Sequence, residues 1–355
     1  GKSQGFNAPV GVEDTFKYCT ALNQLTTNRK VYLGDTTVVY WSEKSTPFED
    51  EMFGVFEGSD AEDSVTVTRL TGFFNRLRRA ADGTPIENGE VPFYVLGLSP
   101  NVARCWVRFW EVGTIQQFAE RLGRHLTDLE LSGKPPSMSP ISLQRILDQT
   151  ARERNEIQPL LGGSVLRAVL TGGHYPPSLL TAVLRRIRAD GQTKGVNGHI
   201  RAAIIKAYLV RKARLNNRKE TVSMSLDKNC PHAAYHLGRM FATLEKTQED
   251  AGLNSTIKDR FLSSASSNPV VAFPQLLRLH AHHLGKIGYG GRRTNIEKLM
   301  QEVSSHFSEF PSHLPLDEQG LFFIGYYHQR QDFYTSKKSA GETIDIMSDD
   351  DARKE

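Results

Sequence analysis

Between Ser132 and Pro140 the chain reads SGKPPSMSP, and the spacing of its apolar residues changes across that break. Consecutive prolines remove backbone donors and fix φ, so neither a helix nor a central strand runs through the segment. Before it, apolar residues alternate in short β-rich runs; after it, they recur every three or four residues. A chain patterned this way places a sheet in its first part and helices in the remainder. That predicts an α+β fold, with a small mixed α/β N-terminal domain, then a mostly helical region ending in a helical bundle.

Within the first part, Asp14 to Leu25 reads as a helix, and Val31 to Trp41 as a strand or hairpin turning at Gly34-Asp35. Phe73 to Arg79 looks helical. Val91 to Leu98 and Val102 to Val112 form a second hairpin around Ser99-Pro100-Asn101, followed by a helix from Thr114 to Leu131. The mixed α/β domain is thus 1–131, and a basic helical linker domain is expected over 141–220. There Leu180, Val183, Leu184 and Ile187 make an apolar stripe, with Arg185, Arg186 and Arg188 on the opposite arc. Ile200 to Val210 should be a buried helix, and its continuation, Arg211 to Lys219, a basic exposed one. Amphipathic stripes from Ala234 to Phe307 and an aromatic helix, Leu321 to Tyr334, predict a bundle over 221–338. The acidic, polar 339–355 reads as a disordered tail. The polar stretch Asn216 to Glu220 ahead of the bundle should bury nothing. The bundle is therefore expected to be able to stand alone.

Three cysteines, Cys19, Cys105 and Cys230, are too few and too scattered for a disulfide framework, which suits a reducing cytoplasm. No apolar run approaches the ~20 residues of a membrane span, so no membrane partner is expected. The chain opens Gly1-Lys2-Ser3 instead of with methionine and is expected to be a fragment or processed form. Its net charge of +4 hides a strong segregation. Thr181 to Glu220 holds eleven Lys/Arg against two acids, whereas Glu43 to Asp63 holds eight acids against one lysine. A concentrated positive field points to nucleic acid as readily as to a solvated helix face.

No catalytic constellation emerges. Cys230-x-His232-x₃-His236 and His280, His282 and His283 invite a metal, but no C-x₂-C or HExxH partner accompanies them. His280 falls on the apolar stripe of its own helix, the place of a core histidine. Glu49-Asp50-Glu51 and Asp349-Asp350-Asp351 are flanked by loop-forming residues, whereas a two-metal site needs carboxylates converging from rigid elements. No phosphate-binding G-x-x-x-x-G-K-[ST] loop or G-x-S-x-G elbow occurs. No catalytic residue, metal or cofactor is therefore expected.

Nucleic-acid contacts are expected at Arg76, Arg78 and Arg79, at Arg185, Arg186, Arg188 and Lys194, and at Arg211, Lys212, Arg214, Arg218 and Lys219. Arg292 and Arg293 follow Gly288-Tyr289-Gly290-Gly291, which reads equally as a phosphate-approaching loop and as a flexible connector. Tyr175 and Tyr208 could stack on unpaired bases or sit in the core.

Several blocks carry a family resemblance. They are FNAPVGVEDTFKYCTALNQL (Phe6–Leu25), DTTVVYWSEK (Asp35–Lys44), FYVLGLSPNVARCWVRFW (Phe93–Trp110), RAVLTGGHYPPSLLTAVLRRIRAD (Arg167–Asp190), HIRAAIIKAYLVR (His199–Arg211), HLGRMFATLEKTQ (His236–Gln248) and GYYHQRQDFY (Gly325–Tyr334). In this order they resemble the large subunit of the type I-C CRISPR surveillance complex, Cascade, including its small-subunit-like helical region. The resemblance implies a non-catalytic scaffold for RNA-guided target recognition and R-loop support. Its implied partners are guide RNA, target DNA, the backbone, RNA-processing and small subunits, and a recruited helicase–nuclease. It also implies a further N-terminal domain ahead of this sequence and, together with the self-closing stripes of 234–307, a separate small subunit begun near Met224 or at a GUG codon for Val222. A metal-dependent nuclease and a stand-alone single-stranded DNA-binding protein are the alternatives.

Overall fold

The computed structural model describes residues 10–58, 64–101, 104–135, 138–218, 222–254 and 257–349. The fold is α+β. The chain divides into two compact units, one of 1–127, 139–148 and 153–173, the other of 128–138, 149–152 and 174–355.

The first unit is built on one antiparallel sheet, whose strands β1 (Lys30–Leu33), β2 (Thr36–Ser42), β3 (Pro92–Asn101) and β4 (Arg104–Thr114) lie in sequence order. Gly34, at φ +63°, makes the expected β1–β2 turn. In the second hairpin Asn101 pairs with Arg104, so β3 runs through the turn expected at Ser99-Pro100-Asn101. Residues 102 and 103 lie outside the described residues. Helices α1 (Val12–Asn28), α2 (Pro47–Phe56), α3 (Ser64–Ala81), α4 (Ile115–Asp128), α5 (Leu143–Asp148) and α6 (Leu161–Thr171) accompany the sheet. Phe93 anchors its buried face, edge-on to Phe48 of α2 at 5.2 Å and to Phe118 of α4 at 5.6 Å. On the other face Leu22 and Leu25 of α1 pack against Val39, Leu96 and Leu98.

Helix α2 corrects the reading of Glu49-Asp50-Glu51 as loop acids. Pro47 suits a first helical turn, and acids there complement the helix dipole. Glu49 is buried, accepts the Ser42 backbone N–H and pairs with Arg29 at 2.5 Å. Glu49 thereby holds α2 to β2, while Glu51 pairs with Arg76 of α3.

The second unit is built of helices joined by loops: α7 (Pro177–Asp190), α8 (Gly195–Leu215), α9 (Ala233–Asp250), α10 (Ile257–Ala265), α11 (Pro269–Ile287), α12 (Gly291–Ser304) and α13 (Leu316–Asp349). Helix α13 takes in the first part of the segment expected as a disordered tail; 350–355 lie outside the described residues. Helices α9 and α13 cross at backbone distance. A Cβ added to Gly238 would lie 1.9 Å from the Phe322 carbonyl oxygen, and one added to Gly325 would lie 1.9 Å from that of Tyr235.

Helix α13 is covered on another side by α7 and α8. Tyr327 bonds His199 at 2.7 Å, Tyr326 bonds Thr193 at 3.3 Å, and Phe323 shares a small void with Ile187, Ala202 and Ile205. The expectation that a cut at 216–220 uncovers no apolar face is thereby corrected. The apolar stripe of α8 and the aromatic stripe of α13 are complementary halves of one interface.

Gly238→Ala or Gly325→Ala should lower stability. Alanine gains about 1 kcal/mol of helix propensity, but wedging a methyl against a carbonyl forces the helices apart, for a net loss of about 1–3 kcal/mol. Thermal unfolding measures it, and a midpoint at or above the parent's would refute the close crossing.

Candidate nucleic-acid interface

The cations of 181–220 do not form one solvated face. Arg201, Lys206 and Arg211 are buried at 2%, 5% and 1% exposure. Arg201 donates to both Asp190 oxygens at 2.7 and 2.8 Å, and Arg186 approaches the same carboxylate at 3.3 Å. Burial opposes ionisation of Asp190, but the Arg201 hydrogen bonds, the Gln192 backbone N–H and the Arg186 charge outweigh it and hold the carboxyl below its usual range. Asp128 plays the same part for the end of α8. It accepts Arg211 Nε at 3.2 Å and both Arg214 Nη groups at 2.8 Å, while its carbonyl takes Lys206 Nζ at 3.1 Å. Arg211 also lies 4.3 Å from the centroid of the Tyr175 ring. Tyr175 and Tyr208 are both buried, so they belong to the core.

The neighbouring cations are tied down as well. Lys212 pairs with Asp317 at 2.6 Å, which raises its pKa, and Lys194 reaches Glu249 at 3.4 Å. Arg188 differs from the exposed arc expected of it. Its Nε donates to Ser266 at 3.2 Å and its Nη2 to Gln319 at 2.6 Å, and burial lowers its pKa. It pins α7 to the residue that follows α10 and to α13. Arg185 and Arg218 remain exposed. Lys219 lies outside the described residues.

In the first unit, Arg76 pairs with Glu51, Arg78 donates to Asn75 at 3.1 Å, and Arg79 is exposed. Arg76 and Arg79 border a cleft of about 450 Å³ that also carries Glu51 and Glu87. In the second unit, Arg292 is exposed at the start of α12, whereas Arg293 pairs with Glu297 at 2.8 Å and stacks 4.7 Å from the Tyr289 ring centroid.

A second basic surface escaped the sequence reading. From Arg260 to Ile296 there is no Asp or Glu, while Arg260, Arg278, Lys286, Arg292 and Arg293 are all present. Arg278, His282 and Lys286 follow one another at i, i+4 and i+8 along α11, and all three are exposed. Absence of acid, instead of density of cations, was the signal to follow.

The histidines are mostly core groups. Burial, with the neighbouring Lys134, His283 and Lys206 charges, holds His199 and His280 at about 4 and His328 at about 3. His236, Glu302 and His306 offer ligand atoms within 4.8 Å of one another, with the two imidazoles stacked at 3.7 Å. A guanidinium fills that cluster. Arg239, fully buried, donates to Glu302 at 2.8 and 2.7 Å and to His236 Nδ1 at 3.1 Å, and His236 Nε2 bonds the Cys230 carbonyl at 2.7 Å. A metal there would have to displace a buried cation from a bidentate partner.

No helix among the described residues is long and apolar enough to cross a membrane. The fold and charge distribution define an α+β protein with fixed internal ion pairs and a separate exposed basic surface. A model of the family described as CRISPR-associated protein (Cas_Csd1) matches residues 1–334, and the chain belongs to that family. No curated protein matches it.

Arg188→Ala should cost about 1–3 kcal/mol, since Ser266 and Gln319 lose a buried partner, whereas Arg185→Ala should stay within about 0.5 kcal/mol of the parent. Chemical denaturation of the two variants separates them; equal midpoints would place Arg188 on the solvated face. The histidines predict an acid-sensitive fold. His199, His280 and His328 stay neutral when folded but take up protons near 6.5 when unfolded, so their contribution is whole above 6.5 and is lost as pH falls toward 4. The urea midpoint should drop between pH 7 and pH 5, and a flat profile there would contradict the burial of these rings.

Proposed function

We propose that this chain is the non-catalytic large subunit of a type I-C CRISPR surveillance complex, binding guide RNA and target DNA and supporting the R-loop. The observation that carries the reading is the run from Arg260 to Ile296, which holds no acid and leaves Arg278, Lys286 and Arg292 exposed. Membership of a CRISPR-associated family supports it independently. The backbone, RNA-processing and small subunits and a recruited helicase–nuclease are its proposed partners, in the cytoplasm. Guide pairing reads sequence in such assemblies, leaving protein to hold backbone and shape. Uncompensated cations suit that task because they release counterions from phosphate, whereas a guanidinium already held by a buried carboxylate has little left to offer. Arg185, Arg218, Arg278, Lys286 and Arg292 are accordingly the proposed contacts, and Arg79 is the proposed contribution of the first unit. Arg201, Lys206 and Arg211 serve the fold.

Charge reversal at Arg278, Lys286 and Arg292 together should weaken binding to a labelled target oligonucleotide and flatten the log-affinity against log-salt plot by roughly one per lost contact. Unchanged affinity and slope would sink the reading. Magnesium- or manganese-dependent cleavage by the purified chain, abolished by substituting its acids, would replace it with the nuclease alternative.

A further inference from the structure

The loop between α11 and α12 carries a tyrosine that adds nothing to the core. Tyr289 is 95% exposed, and the Arg293 guanidinium lies 4.7 Å from its ring centroid. Arg293 is held in turn by Glu297 at 2.8 Å. The ring thus has a cation beside it, anchored from the far side, and the rest of its surface open to solvent.

The glycines around it make a second, independent observation. Gly288, at φ +75°, supplies the left-handed backbone that ends α11. Gly285, Gly290 and Gly291 have no such role: none needs positive-φ strain relief, and a Cβ added to any of them would meet nothing within 4 Å. Some glycines of this chain mark a close approach, as Gly238 and Gly325 do against carbonyl oxygens, whereas others, such as Gly11, stand open. Among the described residues nothing approaches Gly285, Gly290 or Gly291, so the backbone of the loop is left open to solvent. The surface leading to the loop is the exposed Arg278, His282, Lys286 row of α11, without an acid between them.

We infer that this loop is a site for an unpaired nucleotide, with Tyr289 stacking on a base while Arg292 and the α11 row hold the flanking phosphates. The inference rests on the nucleic-acid reading above and adds the form of strand the site takes. A base inside a duplex is already stacked on both faces and offers a protruding ring nothing, whereas an unpaired base has a π-face free for it. The Arg293 contact sets the ring in place before binding, so less freedom is lost when a base arrives. Because a π-face is common to all four bases, the site should be tolerant of sequence.

The test uses the full chain and three labelled probes of equal length: single-stranded oligo-dT, an abasic strand with the same phosphates, and a duplex. The parent should bind oligo-dT more tightly than the abasic strand. Tyr289→Ala should weaken oligo-dT binding by roughly 5- to 100-fold, toward the abasic level, and leave the abasic strand unchanged; Tyr289→Phe should keep the parent's preference. Arg292→Glu should weaken all three probes and reduce the salt dependence. If Tyr289→Ala binds oligo-dT as the parent does while Arg292→Glu weakens every probe, the stacking site is overturned and the basic surface stands. If neither substitution changes any probe, both fail. Tyr289 is exposed and packs on no core residue, so loss of folding does not cloud the result.

Discussion

The crossing of α9 and α13 at backbone distance is the contact around which the second unit is organised. Two glycines, Gly238 and Gly325, remove the side chains that would separate the helices. Proximity of that kind brings polar groups of both helices into the interior, where each needs a partner. Arg239 of α9 meets Gln329 of α13 at 3.0 Å and Glu302 of α12, while Arg330 of α13 pairs with Glu245 of α9. Tyr326 donates to the same Glu245 at 2.6 Å. The close crossing and the buried charges therefore come as a set: the first creates the enclosure, and the second satisfies it.

The same logic explains why the densest basic run in the chain is mostly paired within the fold. Asp128 and Asp190 are two acids enclosed by five Arg and Lys groups of α7 and α8, and Asp317 and Glu249 take two more. Desolvated carboxylates require such partners, and an arginine fork satisfies both oxygens at once. Cations without such a partner among the described residues lie elsewhere, on α11 and its following loop, where the sequence between Arg260 and Ile296 holds no acid.

Much of the architecture was legible in the chain. Alternation around Gly34-Asp35 and between Val91 and Val112 marked both hairpins, and 3.6-residue stripes marked the later helices, because one-sided burial imposes those periods. Helix α2 was hidden, since Glu49 and Glu51 resemble solvated loop acids until Arg29 and Arg76 come alongside from distant segments. The site was less legible for the same reason. A count of cations along the chain cannot distinguish Arg185, which is exposed, from Arg211, whose partner Asp128 lies far away in sequence. Tyr175 and Tyr208 were equally ambiguous until burial assigned them to the core. An acid-free run is a better guide, because it lacks the very residues that could neutralise it locally.

The enclosed Arg–carboxylate pairs also constrain how this chain can diverge. Removing one partner of such a pair strands a buried charge at a cost of about 3–5 kcal/mol, whereas exchanging both for apolar groups of similar volume can be neutral. Arg239 with Glu302, and Arg330 with Glu245, therefore evolve along a path whose first step is the unfavourable one. Such positions change together or stay put, and the exposed α11 row, where each cation stands alone, drifts one residue at a time. Among natural variants the interior of the bundle should thus carry correlated substitutions, and its exposed basic row independent ones.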